Sequence, residues 1–198
     1  MTALFLASAS PSRAALLRDA GIDARIEPAG IDENEVKVSL RAQGADAAQV
    51  AETLAELKAM RVSRRHAGAL VVGADQMLAC GGVWYDKPKD MAEARRHLAA
   101  LRGKPHDLVS AVCVVRDGTR LWHHGEQARL WMRDFSEDFI DAYLKIIGKD
   151  ALGLVGAYRL EGPGVQLFAR IEGDFFGILG LPLLPLLDFL RGHGAVPT

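Results

Sequence analysis

Residues 69–80 read ALVVGADQMLAC, an apolar run that contains one charged side chain, Asp75. Its length and its valine and leucine content predict a buried strand in the middle of a sheet. A carboxylate inside such a strand costs free energy unless it is paired, hydrated or bound to a metal, so Asp75 is a candidate functional residue. Gly73 would let another group approach the backbone closely. A solvent-facing position at a sheet edge is the equally open alternative for Asp75.

The segments around this run alternate between helical and strand patterns. Gly81-Gly82 and Arg116-Asp117-Gly118 predict two hairpin turns. Because hairpins require antiparallel pairs, we predict an α/β fold in which a mixed β-sheet is flanked by helices on both faces. The predicted strands are 3–7, 22–27, 69–80, 108–115, 119–132 and 165–171. The predicted helices are 11–19, 47–65, 90–103, 136–147 and 182–190, and a carboxylate-rich loop is predicted at 30–35.

Length and composition are those of one globular domain. The chain has 198 residues, of which 49% are apolar and 25% charged, and this allows a sizeable core. We therefore predict a single domain over residues 1–198. The formal net charge of -1 provides no overall field that would recruit nucleic acid or an anionic membrane, so neither is expected as a partner.

Cysteine usage and the apolar segments indicate the cytoplasm. Cys80 and Cys113 are the only cysteines, too few for a disulfide framework or a four-cysteine zinc site. The first residues, MTALFLASAS, lack the basic segment of a signal peptide. The most apolar stretch, 177–190, is interrupted by prolines and is too short to span a bilayer. We expect a cytoplasmic protein.

A hydroxyl-rich segment, Ser8-Ala9-Ser10-Pro11-Ser12-Arg13, follows the first predicted strand and opens the first predicted helix. A helix N-terminus offers free N–H groups and a positive dipole end, and Arg13 adds a guanidinium that can bind phosphate through two N–H groups. The segment is therefore a candidate anion site. The simpler interpretation is that Ser10 only caps a helix begun by Pro11.

Further charged residues are candidates for the same chemistry. Glu33, in the predicted loop, could supply a second carboxylate to a magnesium ion, although an acidic loop alone is more often a solvated turn. Lys58 on the Arg-rich helix and Lys87 before Pro88 are each, taken alone, typical surface lysines. The sequence has no P-loop, dinucleotide fingerprint, HExxH, CxxC or GxSxG motif, so those enzyme classes are disfavoured.

Taken in order, these segments resemble the Maf family of nucleoside triphosphate pyrophosphatases over nearly the whole chain. The resemblance implies a mixed α/β fold with two lobes around a central cleft, often as a homodimer. It also implies hydrolysis of a nucleoside triphosphate to monophosphate and pyrophosphate with a divalent metal cation, Mg²⁺ or Mn²⁺. Such an activity keeps modified nucleotides out of nucleic acids. The matching pieces are Ser8–Arg13 with Leu16-Leu17, Asp32-Glu33, Leu54–Ala59, Gly73–Gln76, Lys87-Pro88, Gly103 with His106, and Gly180–Pro182.

The resemblance implies roles for individual residues. Asp75 would be the proton acceptor and, together with Glu33, would hold the metal. Hydrolysis at the α-phosphorus needs charge neutralisation and an aligned water, and these residue types can provide both. The implied phosphate-binding residues are Ser8, Ser10, Arg13, Lys58 and Lys87.

Three positions bear on the choice of base. Ser12 stands where the family commonly has an arginine or an aromatic residue, and Gln76 stands where it has a threonine. Glu161 takes the place of a glutamine in the dTTP and UTP branch, and the pair of Gln76 with Glu161 is similar to the branch acting on 7-methyl-GTP. A carboxylate can accept hydrogen bonds from the N1–H and the amine of guanine, so we expect a guanine-type, modified substrate.

Two alternatives to this function stay open from the sequence. One is a non-catalytic nucleotide-binding regulator of septum formation and cell division. The presence of the charged candidate residues argues against it; these are Asp75, Glu33, Lys58 and Lys87. The other is a pyrophosphatase for dTTP or UTP.

Overall fold

A computed structural model describes residues 2–197. The terminal residues 1 and 198, which the predicted domain includes, lie outside the described part. Mixed helix and strand content confirms the predicted α/β class. The strands are β1 (Leu4–Leu6), β2 (Arg25–Ile26), β3 (Leu70–Cys80), β4 (Val83–Tyr85), β5 (Pro105–Arg116), β6 (Thr119–Met132) and β7 (Phe168–Glu172). The α-helices are α1 (Pro11–Asp19), α2 (Glu33–Ala42), α3 (Ala47–Ser63), α4 (Met91–Leu101), α5 (Glu137–Ile147), α6 (Phe175–Ile178) and α7 (Leu183–Gly192).

The strands form one mixed sheet in the order β2-β1-β3-β5-β6-β7, with β4 paired to β3. Strand β1 is parallel to both β2 and β3, with Leu4 opposite Leu70 and Leu6 opposite Val72. Strand β4 is antiparallel to β3, and β7 is antiparallel to β6. The run that contains Asp75 is therefore a central strand, as its sequence predicts.

Both predicted hairpins have the backbone that short hairpin turns require. Asp117 and Gly118, between β5 and β6, have φ of 50° and 73°, and Gly81 and Gly82, between β3 and β4, have φ of 57° and 81°. Two consecutive residues with positive φ match the right-handed twist of paired strands. The Asp117 carboxylate also accepts a hydrogen bond of 2.7 Å from the N–H of Gly68.

Helix starts follow the capping residues in the sequence. The side chains of Asp90 and Ser136 accept from the N–H groups of Glu93 and Phe139, which confirms the predicted starts of α4 and α5. Helix α5 ends at Gly148, whose φ of 59° suits glycine.

Several predicted boundaries are wrong. The loop predicted at 30–35 becomes a helix at Glu33, because the Asp32 side chain accepts from the N–H of Glu35 and caps α2. Strand β2 comprises only Arg25–Ile26. The strand predicted from Val165 starts at Phe168, since a 3₁₀ helix covers Gly162–Leu167. Two further 3₁₀ turns, at Gly148–Gly153 and Val155–Ala157, and the short helix α6 were not predicted.

The chain folds into two compact units, and strands β3, β5 and β6 contribute residues to both. The first unit contains the chain up to Gln76, Ser110–Glu126 and the chain from Phe175, and the second contains Met77–Val109 and Gln127–Asp174. A single domain over the whole chain stays a prediction. Within residues 2–197, no helix is both long and apolar enough to cross a membrane. The core of the first unit consists of Leu4, Leu6, Leu17, Leu70, Val72, Ala74, Val112, Val114, Leu181, Leu183, Leu186, Leu190 and Val196.

Candidate active site

A close contact between α3 and β3 brings the first charged residues of the site together. A Cβ atom at Gly73 would lie 2.0 Å from the carbonyl oxygen of Ala55 and 2.9 Å from the Cβ of Ala59. Only glycine permits this approach, which agrees with the role predicted for Gly73. The approach places Lys58, on the buried side of α3, against the side chain of Asp75 on β3.

Lys58 lies between two carboxylates. Its Nζ atom is 2.5 Å from Asp75 Oδ1 and 2.7 Å from Glu33 Oε1. Lys58 and Asp75 are 6% and 4% exposed, whereas the Glu33 side chain is 43% exposed. Removing one partner of a buried ion pair leaves an uncompensated buried charge. The three side chains therefore depend on one another.

These positions correct three expectations. Glu33 does not belong to a loop, because it is the first residue of α2, and its carboxylate reaches the buried lysine. Lys58, taken alone, resembled a surface lysine, yet its ammonium group is buried and paired with both carboxylates. The edge position considered for Asp75 is likewise wrong, since the residue is buried in a central strand.

The second oxygen of Asp75 distinguishes this pair from a purely structural one. Oδ2 is buried and has no hydrogen-bond partner among the described residues. A buried carboxylate oxygen without a partner is costly, and such atoms in folded proteins are usually satisfied by water, an ion or a ligand. Asp75 therefore has one oxygen fixed by Lys58 and one buried oxygen that lacks a hydrogen-bond partner among the described residues.

A divalent cation fits this donor set only with help from other ligands. The described residues contain no group of three or more His, Cys, Asp or Glu side chains that could hold a metal ion. Magnesium usually takes one or two carboxylates and completes its shell with phosphate oxygens and water. The carboxylates of Asp75 and Glu33 are compatible with that arrangement.

The segment after β1 fits both interpretations of its sequence, a helix cap and an anion site. Ser10 caps α1, because its hydroxyl accepts from the N–H of Arg13 at 3.4 Å. The buried Ser8 hydroxyl accepts from the N–H of Ser10 at 3.1 Å. Ser12 lies half-buried in the first turn of α1. Capping and anion binding are compatible, since a capped helix start still presents free N–H groups to a ligand.

Arg13 is buried and contacts three parts of the first unit. Its Nε donates to the carbonyl of Gly180 at 2.7 Å, and its Nη1 donates to the carbonyl of Ala74 at 3.0 Å and to Ser8 Oγ at 3.3 Å. Burial lowers the pKa of the guanidinium, while the charges of Asp75 and Glu33 act in the opposite direction. Arg13 thus ties the segment after β1 to β3 next to Asp75, a positioning role that its sequence did not indicate.

Gln76, the next residue on β3, is held by its amide nitrogen. Nε2 lies 3.0 Å from each of three acceptors: the Ser110 hydroxyl and the backbone carbonyls of Gly177 and Ile178. A Cβ at Gly180 would lie 3.8 Å from the Gln76 Oε1 atom. Gln76 therefore joins β3, β5 and α6 in the first unit.

Lys87 and Glu161 belong to the second unit. Lys87 is exposed in the segment before α4, and Glu161 is exposed just before the 3₁₀ helix Gly162–Leu167. The loop with Glu161 is anchored by Tyr143, whose hydroxyl accepts from the N–H of Arg159 at 3.3 Å. A Cβ at Gly164 would lie 1.7 Å from the Arg159 carbonyl, so this loop packs tightly on itself.

The predicted residues that the structure brings together in the first unit are Ser8, Ser10, Arg13, Glu33, Lys58, Asp75 and Gln76.

Comparison with protein families decides the relationship. The family described as Maf-like protein matches residues 3–193. The chain belongs to this family. The Maf-like protein is 56% identical over 193 residues to a nucleoside triphosphate pyrophosphatase of Granulibacter bethesdensis, with 98% of each chain covered. It is 59% identical over 189 residues to one of Paramagnetospirillum magneticum, covering 96% of this chain and 97% of the relative. A 7-methyl-GTP pyrophosphatase of Rhizobium meliloti is 50% identical over 193 residues, covering 98% and 97%.

Membership confirms the family resemblance seen in the sequence of this Maf-like protein. Sequence reasoning missed Ser110, whose hydroxyl contacts Gln76, and it missed the carbonyls of Gly177 and Gly180 that bind Gln76 and Arg13. One signal was available for Ser110, because it is a polar residue inside the apolar run of β5. Backbone carbonyls leave no such signal in a sequence.

Proposed function

We propose that this Maf-like protein hydrolyses a nucleoside triphosphate to a nucleoside monophosphate and pyrophosphate. The observation that carries the proposal is the Asp75 carboxylate, which is buried, held at Oδ1 by Lys58 and without a partner at Oδ2 among the described residues. An oriented carboxylate with one free acceptor can take a proton from a water molecule. The names of the bacterial relatives support the same reaction.

In the proposed reaction, water attacks the α-phosphorus of the nucleotide. The bond between the α-phosphorus and the bridging oxygen breaks, and pyrophosphate leaves with that oxygen. Asp75 accepts the proton of the attacking water at Oδ2 while Lys58 keeps the carboxylate in place. Positioning and charge stabilisation provide most of the rate enhancement in such reactions.

Several groups support binding of the triphosphate chain. The start of α1 presents N–H groups and two serine hydroxyls, and Lys58 supplies positive charge beside Asp75. Arg13 adds a second buried cation, although its Nε and Nη1 are engaged by backbone carbonyls. We assign Ser8, Ser10, Arg13, Lys58 and Lys87 to phosphate binding.

We propose that Mg²⁺ or Mn²⁺ takes part, held by Asp75 and Glu33 together with substrate phosphates. When bound, the cation would neutralise charge on the phosphate oxygens. Glu33 suits this role because its carboxylate is half-exposed at the end of α2 nearest Lys58.

For the base, we propose a guanine-type nucleotide, with 7-methyl-GTP as the first candidate. Glu161 is exposed and can accept hydrogen bonds from the N1–H and the amine of guanine. Gln76 would make the second contact with the base. Ser12, near the start of α1, would be the third residue that bears on the choice of base. The Rhizobium meliloti relative, named 7-methyl-GTP pyrophosphatase, supports this choice. The names of the relatives do not favour a non-catalytic cell-division regulator or a dTTP/UTP pyrophosphatase.

Cytoplasmic location and a homodimer stay predictions. The two cysteines, both buried and unpaired, suit a reducing compartment. The dimer rests on the resemblance alone.

The test is a panel of normal and modified nucleoside triphosphates with Mg²⁺ or Mn²⁺, in which pyrophosphate and orthophosphate are measured separately. We expect one pyrophosphate for each monophosphate formed, with the highest kcat/KM for a guanine nucleotide. Release of orthophosphate alone would indicate a plain phosphatase. Tight nucleotide binding without turnover by the folded protein would instead support a regulator.

A further inference from the structure

We infer that Ser110 is a positioning residue for the base, acting through Gln76. Ser110 lies on β5 and is 1% exposed. Its hydroxyl donates to the carbonyl of Gly177 at 2.8 Å and accepts from Gln76 Nε2 at 3.0 Å. The inference rests on the proposed function, because it assumes that Gln76 contacts the nucleobase.

The surroundings of the Gln76 amide fix which way it faces. Two of the three groups around Nε2 are the backbone carbonyls of Gly177 and Ile178, which can only accept hydrogen bonds. The amide oxygen in that place would be repelled by both, so the nitrogen must point towards them and Oε1 must point away.

Ser110 completes this arrangement because its own hydrogen is used elsewhere. A serine hydroxyl can donate or accept. Donation to the carbonyl of Gly177 turns the lone pairs of the Ser110 oxygen towards Gln76, so this third neighbour also acts as an acceptor. All three neighbours of the amide nitrogen are then acceptors, and both N–H groups of Gln76 are committed to the protein.

The consequence is that Gln76 offers a ligand an acceptor and no donor. Glu161 takes the N1–H and one amine N–H of guanine in the proposed site, so Gln76 Oε1 would accept the second N–H of that amine, where adenine has only a C–H. A polar site built for one hydrogen-bond pattern rejects the opposite pattern strongly, because a buried group would be left unpaired. Ser110 would therefore contribute to selection of guanine over adenine without touching the nucleotide.

The experiment is a double-mutant cycle on the ratio of kcat/KM for GTP over ATP. Ser110→Ala keeps both carbonyl acceptors but removes the hydroxyl that anchors the Gly177 carbonyl and Gln76 Nε2, so we expect this ratio to fall about five-fold, the effect of losing one neutral hydrogen bond. In a Gln76→Ala background, Ser110→Ala should leave the ratio unchanged, because the residue through which it acts is absent. Ser110→Thr, which keeps the hydroxyl, should restore the ratio, and its thermal unfolding checks that the fold is intact.

Ser63→Ala is the matched control, since Ser63 is a buried serine of the same unit whose hydroxyl accepts from the N–H of Gly118. The inference is overturned if Ser110→Ala leaves the ratio unchanged or lowers it equally in both backgrounds. It is also overturned if Gln76→Ala itself has no effect on the ratio while pyrophosphate is still released. Absence of pyrophosphate release by the folded wild type is a different result, because it refutes the proposed function and the inference with it.

Discussion

Lys58 Nζ lies 2.5 Å from Asp75 Oδ1, and the two residues are nearly inaccessible to solvent although they belong to different elements, α3 and β3. The contact depends on Gly73, two residues before Asp75, where no side chain could be accommodated against α3. A packing requirement of the first unit thus places the charged groups of the candidate site.

Replacing Asp75 by asparagine should abolish most activity and keep the fold. The asparagine side chain has the same shape and can turn its oxygen towards Lys58, but its nitrogen then replaces Oδ2 and can accept no proton. We expect kcat to fall by about a hundredfold or more, the range for losing a positioned base. Pyrophosphate release and circular dichroism would check both parts. Near-wild-type turnover by a folded variant would remove Asp75 from the mechanism.

Lys58→Ala should impair both stability and catalysis. It leaves the buried Asp75 carboxylate without its cation, and breaking a buried pair in this way costs about 3–5 kcal/mol. Urea unfolding would measure that loss, and steady-state kinetics on the folded fraction would measure the fall in kcat. Arg61→Ala is the control, since Arg61 is an exposed cation on the same helix. Equal unfolding free energies and equal kcat values for the two variants would contradict the central position assigned to Lys58.

Gly73→Ala should separate α3 from β3. The added Cβ would lie 2.0 Å from the backbone oxygen of Ala55, and backbone can only yield by moving the helix. We expect a loss of roughly 1–3 kcal/mol or more in the free energy of unfolding, together with reduced activity as Lys58 shifts. Gly192→Ala, at the end of α7, should have little effect, because apart from its chain neighbours and the backbone of its own helix no described atom lies within 4 Å of the new Cβ. A Gly73→Ala protein of wild-type stability and activity would show that the close packing is not required.

Helix α2 and Lys58 show most clearly how much of the fold and of the candidate site can be predicted from the sequence. The sequence located β3 and its carboxylate from the apolar run, but α2 has no buried residue and only a short apolar pattern, Val36, Val38 and Leu40, that suits a helix and a strand alike. Its capping signal, Asp32 with Glu35 three residues later, was present and is of the same kind as the Asp90 and Glu93 pair that located α4.

Lys58 carried a signal of a different kind. It lies four residues after Leu54 and four before Val62, both fully buried, so it shares the apolar stripe of α3. The contact between Ser110 and Gln76 had no comparable signal, because it joins residues 34 positions apart on neighbouring strands β5 and β3. Register between strands that are distant in sequence is not encoded locally.

Acid should destabilise the protein through His106 in the second unit. Burial lowers the pKa of His106 from 6.5 to about 4, and its Nε2 contacts the Tyr158 hydroxyl at 2.6 Å. Between these pH values the unfolded chain binds a proton that the folded chain does not, so stability falls as pH falls from 6.5 towards 4. The loss approaches about 1.4 kcal/mol per pH unit and about 3 kcal/mol over the window.

Urea unfolding of the wild type and of His106→Gln at several pH values would measure this contribution. The wild type and the variant share all other titrating groups, so the difference between their slopes of unfolding free energy against pH isolates the contribution of His106. We expect the variant to have the shallower slope between pH 6.5 and 4. Parallel slopes would contradict a buried, neutral His106.

Glu161→Gln should narrow the preference between bases. Glu161 is an acceptor for the N1–H and amine of guanine, whereas glutamine offers one acceptor and one donor, and the donor suits a carbonyl oxygen of uracil. We expect kcat/KM for GTP or 7-methyl-GTP to fall and the gap to UTP and dTTP to narrow. Because Glu161 is exposed and its loop is anchored by the Tyr143 hydroxyl, the substitution should leave the unfolding free energy nearly unchanged. A wild type that prefers UTP or dTTP, with a ratio unaltered by Glu161→Gln, would refute the guanine assignment while leaving the pyrophosphatase reaction intact.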